Sequence, residues 1–144
     1  EVNDMNLDEL YKDTILYHGK NTENRREVSP YDFKKRGVNH SCGDEITISM
    51  RVRDGVIDDI AFIGDGCMIS MASTSIMIDL VKGKEVEEAK RIVDIFIKMI
   101  RREVTEDEIS ELGDGIVFQN IQNMPARVKC ATLAWHTLNE IIQN

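Results

Sequence analysis

The chain has 144 residues, 42% of them hydrophobic and 31% charged, with a formal net charge of −8. That length suits one domain that buries its own core, and the composition is that of a soluble globular protein. The acidic balance argues against nucleic acid or an anionic membrane as a main partner, although basic spots stand at Arg25-Arg26 and Lys34-Lys35-Arg36.

Glu1 to Asp4 precede the first methionine, Met5, and are expected to be an expression remnant; residues 1–144 otherwise read as a single domain. Asn6 to about Tyr17 reads as a helix, with Asn6 as its cap and Glu9 completing a capping-box-like signal. Leu7, Leu10, Tyr11 and Ile15 give this helix one apolar stripe. No signal peptide is expected before it, and no apolar run approaches a bilayer-spanning length, so no membrane role is expected. His18 to about Pro30 is polar and aperiodic, hence a loop, and Asp32 to Val38 reads as a short edge strand.

Glu45 to Arg53 alternates cleanly, with Ile46, Ile48, Met50 and Val52 on one face. Asp54-Gly55 then signals a hairpin, and Val56 to Ile63 is the return strand. A two-residue loop there pairs Arg53 with Val56 and Arg51 with Asp58. Carried on without a bulge, the same register sets Cys42 opposite Cys67, Cα atoms roughly 4.5–5.5 Å apart.

Met68 to about Lys82 reads as a helix apolar on most sides, ended by Gly83 as C′ residue. Cys67 at its start faces the positive end of the helix dipole, which favours thiolate. Glu85 to Arg101 is a second, amphipathic helix. Arg102 to about Gln119 is acidic and glycine-marked, with one short helix at Glu106 to Leu112. The last helix starts near Pro125 with Asn123 or Met124 as cap, and buries Val128, Ala131, Trp135, Leu138 and Ile142. The layout is α+β: a small antiparallel sheet of about three strands with helices packed on one face.

The three cysteines each fall at the end of an element. Cys42 opens a strand, Cys67 closes its partner, and Cys130 lies in the first turns of the last helix. Asp44 adds an oxygen ligand two residues from the first thiol. Together they read as a pocket of three thiolates and one carboxylate for a metal, a cluster or transferred sulfur. Soft sulfur ligands suit zinc or an iron–sulfur cluster. The carboxylate is the weakest-held member, so the site opens more readily than one of four thiolates. That is useful where a thiol is released to accept sulfur. Gaps of 25 and 63 residues contain no C-x-x-C knuckle, which disfavours zinc-finger and rubredoxin-like readings. An odd cysteine count leaves a free thiol in any disulfide framework, so a reducing cytoplasm is the simpler setting.

Plainer alternatives stand beside this reading. The cysteines can be three small buried hydrophobes, and Asp44 a turn residue bonding its own backbone. A Cys–His thiol enzyme is a different class, with His40 as the base for Cys42, but no orienting third group or oxyanion-hole pattern accompanies it. His18 is expected to be solvated. His136 follows Cys130 by six residues, about 240° around the helix, and so faces away from that sulfur.

The segments SCGDEI (41–46), GDGCMISMASTS (64–75), Val81-Lys82-Gly83 and MPARVKCATLAW (124–135) carry a resemblance over nearly the whole chain. It resembles the U-type iron–sulfur assembly proteins, the IscU/SufU (NifU N-terminal-like) family. IscU scaffolds have a histidine immediately before the third cysteine, where this chain has Lys129. They also have a Leu-Pro-Pro-Val-Lys chaperone motif, where this chain reads Asn-Met-Pro-Ala-Arg. The Cys67–Cys130 interval is also longer here, with the extra length expected around residues 100–118. All three features resemble the SufU branch.

That resemblance implies a SufE/IscU-like fold and a zinc-dependent sulfurtransferase. Zn2+ is held by Cys42, Asp44, Cys67 and Cys130, and Cys42 accepts persulfide sulfur from a SufS-type cysteine desulfurase. Downstream iron–sulfur assembly proteins are the implied recipients, and the missing motif counts against a heat-shock chaperone. Arg127 and Lys129 lie near the site as auxiliary cations or as solvated helix-end charges. The alternative it leaves open is a scaffold holding iron or a [2Fe-2S] cluster on the same ligands.

Overall fold

Ile46, Ile48 and Met50 are each no more than 1% exposed, so the alternation read from the sequence is the buried face of a strand. The computed structural model describes residues 4–143. Its sheet is antiparallel in the order β1 (Phe33–Asn39), β2 (Asp44–Arg53), β3 (Val56–Asp65). Asp54 and Gly55 join β2 to β3 with φ of 53° and 78°, the two left-handed positions of a type I′ turn.

Arg53 pairs with Val56 and Val52 with Ile57, as the two-residue loop requires. Beyond that the expected register fails. A bulge at Asp58 makes Arg51 face Asp59, and every later pair is displaced by one. The ladder ends at Glu45 and Asp65, so Cys42 and Cys67 are not an opposed pair. The Arg51–Asp58 charge pair survives at 2.7 Å, because the arginine side chain reaches the bulged residue.

From Asn21 on, the segment expected to be a loop has no regular structure beyond an Arg25–Phe62 bridge, yet it is firmly seated. Phe62 N–H donates to Asn24 O (2.9 Å), Val28 N–H to Ser49 Oγ (2.9 Å) and Asp32 N–H to Met50 O (2.8 Å). The segment therefore crosses from the β3 edge over the outer face of the sheet to β1. It buries Val28 and Ser49 to 1% exposure each.

The helices take the other face. They are α1 (Asp4–Lys20), α2 (Met68–Val81), α3 (Val86–Ile100), α4 (Glu106–Ile109) and α5 (Pro125–Ile142). Two 3-10 segments, Ser110–Phe118 and Ile121–Asn123, bridge α4 to α5. α1 starts before Asn6, which is therefore not its cap, and the side chains of Leu7 and Leu10 lie outside the described residues, as do Glu1 to Asn3.

α5 packs on β1 and β2, α2 on β3, and α1 and α3 lie outside this pair. α5 crosses β1 at Gly37, where an added Cβ would stand 2.1 Å from Thr137 Oγ1. α2 is buried from Ile69 to Ile78, hydroxyls included. The hydroxyls of Ser73, Thr74 and Ser75 are satisfied internally, as buried polar groups need to be, whereas Ser70 Oγ has no hydrogen-bond partner among the described residues. Ser73 Oγ donates to Ala131 O (2.6 Å) and accepts from Trp135 Nε1 (2.9 Å). The Trp135 ring stacks on Phe96 with centroids 3.8 Å apart.

His18 corrects the sequence reading. It is 4% exposed, not solvated, with Nε2 2.8 Å from Asp114 Oδ2 and Nδ1 3.9 Å from Asp79 Oδ2. α1 runs three residues past its expected end, and the glycine-marked 3-10 segment brings Asp114 over it.

Candidate metal centre

The sheet end opposite the Asp54-Gly55 turn gathers the chemistry. Residues 40–43 form the turn between β1 and β2, and Gly43 takes φ +72°, a left-handed position suited to glycine. Cys42 sits exposed on this turn instead of opening the strand. Cys130 is buried on α5, four residues past Ala126, and its Sγ is 3.0 Å from Cys42 Sγ. Both sulfurs face the Ala126 carbonyl oxygen, at 3.9 Å from Cys42 and 4.0 Å from Cys130.

Asp44 is 0% exposed and lies beneath these thiols. Its Oδ1 accepts from the Cys67 N–H (2.8 Å) and its Oδ2 from Asn39 Nδ2 (3.2 Å). Among the described residues no lysine or arginine forms an ion pair with it. Ligand atoms of Cys42, Asp44 and Cys130 all lie within 4.8 Å of one another.

Cys67 stands at the edge of this group, not inside it. It is half-buried as the N-cap of α2, where its Sγ accepts from the Ser70 N–H at 3.4 Å. The helix-start position expected for it is correct. Its direct opposition to Cys42 is not, because of the bulge and the early end of the ladder.

Burial, followed by the contacts with Cys42, Asp44 and Cys67, pushes the Cys130 thiol far above its ordinary range. Sulfurs and a carboxylate crowded together cannot all carry charge without a cation among them. The donor set therefore fits a divalent cation: soft sulfurs, one hard oxygen, and a buried carboxylate with only neutral donors. Cys42, Asp44 and Cys130 would hold such a cation, which would supply the positive charge this group lacks.

The remaining candidates separate clearly. Arg127 and Lys129 are both exposed on the first turn of α5. Arg127 lies beside the Tyr11 hydroxyl, whose pKa is raised by burial and drawn partly back by that guanidinium. No hydrogen bond of normal geometry joins the two, and the hydroxyl is sealed from solvent. His40 is exposed on the turn and shows no hydrogen bond to Cys42 among the described residues, which removes support for a Cys–His pair. His136 is exposed, as expected.

Sequence reasoning missed Asn39 and Gly66. Asn39 is the last residue of β1 and pairs with Asp44 across the ladder. A Cβ on Gly66 would lie 2.6 Å from Asp44 Oδ1, so the loop reaches the carboxylate only because that side chain is absent. The G-D-G run beside Cys67 was the available signal for Gly66. For Asn39 the signal was a polar residue three before Cys42.

A three-stranded sheet, a helical layer on one face and a thiol–carboxylate cluster at one end define an α+β protein with a side-chain group suited to a divalent cation. Residues 10–131 match the NifU-like N terminal domain, and the chain belongs to that family, which includes the IscU and SufU proteins. It is 38% identical to the zinc-dependent sulfurtransferase SufU of Bacillus subtilis over 94% of this chain and 90% of that one. It is also 38% identical to the iron-sulfur cluster assembly scaffold protein IscU of Thermotoga maritima, over 93% of each. Among solved structures, one described as an iron-sulfur cluster assembly scaffold protein for the SUF system of Fervidobacterium islandicum superposes with a TM-score of 0.84. The identity there is 34%, covering 92% of this chain and 96% of that one.

Proposed function

We propose that this chain is an iron–sulfur cluster assembly protein of SufU type, a zinc-dependent sulfurtransferase fed by a cysteine desulfurase. The observation that carries it is the unequal exposure of the cluster. Asp44 and Cys130 are buried and braced, whereas Cys42 is exposed on a glycine turn. Such a site keeps its cation while offering one thiol to a partner. Cys42, Asp44, Cys67 and Cys130 hold Zn2+, with Cys67 swinging in from the edge. When bound, zinc keeps these thiols deprotonated at neutral pH.

Cys42 is the sulfur acceptor. Its thiolate attacks the terminal sulfur of the desulfurase persulfide. A new S–S bond forms, the persulfide S–S bond breaks, and the desulfurase cysteine leaves as thiolate, with no net oxidation. Arg127 and Lys129, exposed near the start of the helix that carries Cys130, are the auxiliary cations for an incoming partner. The desulfurase is the upstream partner, downstream iron–sulfur assembly proteins receive the sulfur, and the setting is cytoplasmic. Lys129 before the third cysteine and Asn-Met-Pro-Ala-Arg at the chaperone position favour this reading.

The second reading, a scaffold for a [2Fe-2S] cluster on the same ligands, is favoured by the equal identity to the Thermotoga maritima scaffold. Metal and acid-labile sulfide analysis of protein purified without chelator separates them. One zinc per chain without sulfide, and desulfurase stimulation lost in Cys42→Ser, is the expected result. Iron with labile sulfide, passed on to apo-ferredoxin, would replace the first reading by the second.

A further inference from the structure

Asn39 is 7% exposed, and its single side-chain NH2 group faces two members of the cluster. Nδ2 lies 3.2 Å from Asp44 Oδ2 and 3.6 Å from Cys130 Sγ. A primary amide carries two hydrogens, so one group can serve both acceptors together. One partner lies across the adjoining turn, five residues away, and the other on α5, 91 residues away. The reach is set by the ladder, because Asn39 and Asp44 are directly paired across β1 and β2. Directly paired residues place their Cβ atoms about 4.5–5.5 Å apart, a span that a short amide bridges.

We propose that Asn39 is a positioning residue: it clamps Asp44 and Cys130 together as the fixed half of the centre, which leaves Cys42 as the ligand that opens. The inference rests on the reading of this cluster as a zinc-holding sulfur acceptor and adds which ligand is free to leave, and why. Asp44 is braced on both oxygens, by Asn39 and by the Cys67 N–H at 2.8 Å. Both donors are neutral, so they orient the carboxylate without competing for a cation as a lysine would. Outer-shell donors of this kind fix first-ligand geometry and tune affinity. Cys42 has no comparable brace. Its sulfur meets only Cys130 Sγ (3.0 Å) and the Ala126 carbonyl oxygen (3.9 Å) among the described residues. The turn that carries it has open space around Gly43. Release of Cys42 thus leaves the other ligands in place, whereas release of Cys130 or Asp44 disrupts the clamp.

The test compares wild type with Asn39→Leu, which keeps the branched heavy-atom skeleton and removes both donors. Zinc affinity is measured by chelator competition, and Co2+ spectra report the geometry and sulfur ligation. Iodoacetamide labelling of the zinc-loaded protein, mapped by mass spectrometry, reports which thiol is released first. Wild type is expected to label at Cys42 first. Asn39→Leu is expected to bind zinc about 10–100-fold more weakly, to show altered Co2+–sulfur bands, and to label Cys130 at a rate comparable to Cys42. Far-UV circular dichroism of the metal-free protein checks the fold. If Asn39→Leu does not fold, Asn39→Thr decides, since threonine suits a strand and its hydroxyl is too short to bridge both partners. Unchanged affinity with Cys42 still labelled first overturns the role of Asn39 and leaves the metal site standing. Wild type that binds neither zinc nor cobalt under reducing conditions overturns the site reading and this inference with it.

Discussion

Asp44 and Asp59 belong to neighbouring strands of one sheet, and the chain treats their charges in opposite ways. Asp59, on β3, is gripped by Arg26 at 2.5 and 2.9 Å, with Lys82 a further cation at 3.3 Å. The Arg26 hydrogen bonds outweigh the opposing effect of burial, and with Lys82 hold its carboxyl far below the usual carboxylate range. Asp44, on β2, is 0% exposed and accepts from an amide and a backbone N–H, with no charged donor among the described residues. An ion taken out of water costs several kcal/mol unless it is paired. Asp59 is settled within the chain. Among the described residues no lysine or arginine does the same for Asp44, and thiols are the groups placed around it. A cation site is thus recognised less by its ligands than by the counter-charge the fold withholds.

The comparison breaks most sharply on Asp44→Asn against Asp59→Asn, each unfolded in urea with and without zinc under reductant. Zinc at about a thousand times its Kd should stabilise wild type by about 4 kcal/mol. Asp44→Asn should lose most of that increment while its metal-free stability stays level or rises, because a buried unpaired charge has gone. Asp59→Asn should keep the zinc increment and lose about 1.5 kcal/mol with or without metal. That is the low end for a hydrogen bond to a charged group, since Arg26 is 38% exposed and screened by solvent. An Asp44→Asn protein weakened equally with and without zinc would make Asp44 a structural carboxylate like Asp59.

The pH profile sharpens the same contrast. The folded Asp59 pKa is depressed, so its contribution is present in full above the unfolded value of about 3.9. It is lost as pH falls through the lower folded value. The gap between wild type and Asp59→Asn should therefore be open at neutral pH and narrow progressively below about pH 4. A gap that widened in acid would contradict the ion-pair account.

Gly66→Ala probes Asp44 without changing its charge. The new Cβ would stand 2.6 Å from Asp44 Oδ1 and 3.1 Å from Met71 Cε. The buried carboxylate has to shift, and zinc affinity should fall by about tenfold, comparable to losing an outer-shell partner. Chelator competition reads this directly. An unchanged affinity would mean that the carboxylate has room the packing does not show.

These contrasts explain what the sequence could and could not disclose. Asp54-Gly55 was legible because a type I′ turn is a local demand for two left-handed residues. The Ile46-Ile48-Met50 face was legible because burial imposes a period of two. The nearness of Cys42, Asp44 and Cys130 was legible because each falls at the end of an element that the layout brings to one end of the sheet. The bulge at Asp58 was not, since nothing in the local pattern distinguishes Asp58-Asp59 as one pair or two residues facing one. Together with the early end of the ladder at Glu45 and Asp65, it displaced the expected opposition of Cys42 and Cys67. His18 was misread because its partner Asp114 is 96 residues away and arrives on a kinked 3-10 segment. Asn39 was overlooked for a related reason: its meaning depends on Cys130, which only the packing of α5 brings near.

The smallest expected effect tests which cation settles Asp59. Lys82 lies 3.3 Å from Asp59 Oδ1, but its side chain is 45% exposed. Arg26 already engages both oxygens of that carboxylate in a fork. An exposed lysine at such a distance contributes at most about 1 kcal/mol. Lys82→Ala should therefore lower urea stability by less than Asp59→Asn and leave the zinc increment untouched. In the background of Asp59→Asn it should cost almost nothing further, because the charge it served has gone. A Lys82→Ala loss as large as that of Asp59→Asn would move the settling role from the arginine on the crossing segment to the end of α2. The outer-face segment would then be held by its backbone hydrogen bonds to Phe62, Ser49 and Met50, and Arg26→Ala should be nearly silent. If instead Arg26→Ala is the costly change, one guanidinium both fastens that segment to the sheet and neutralises Asp59, the service that no lysine or arginine among the described residues performs for Asp44.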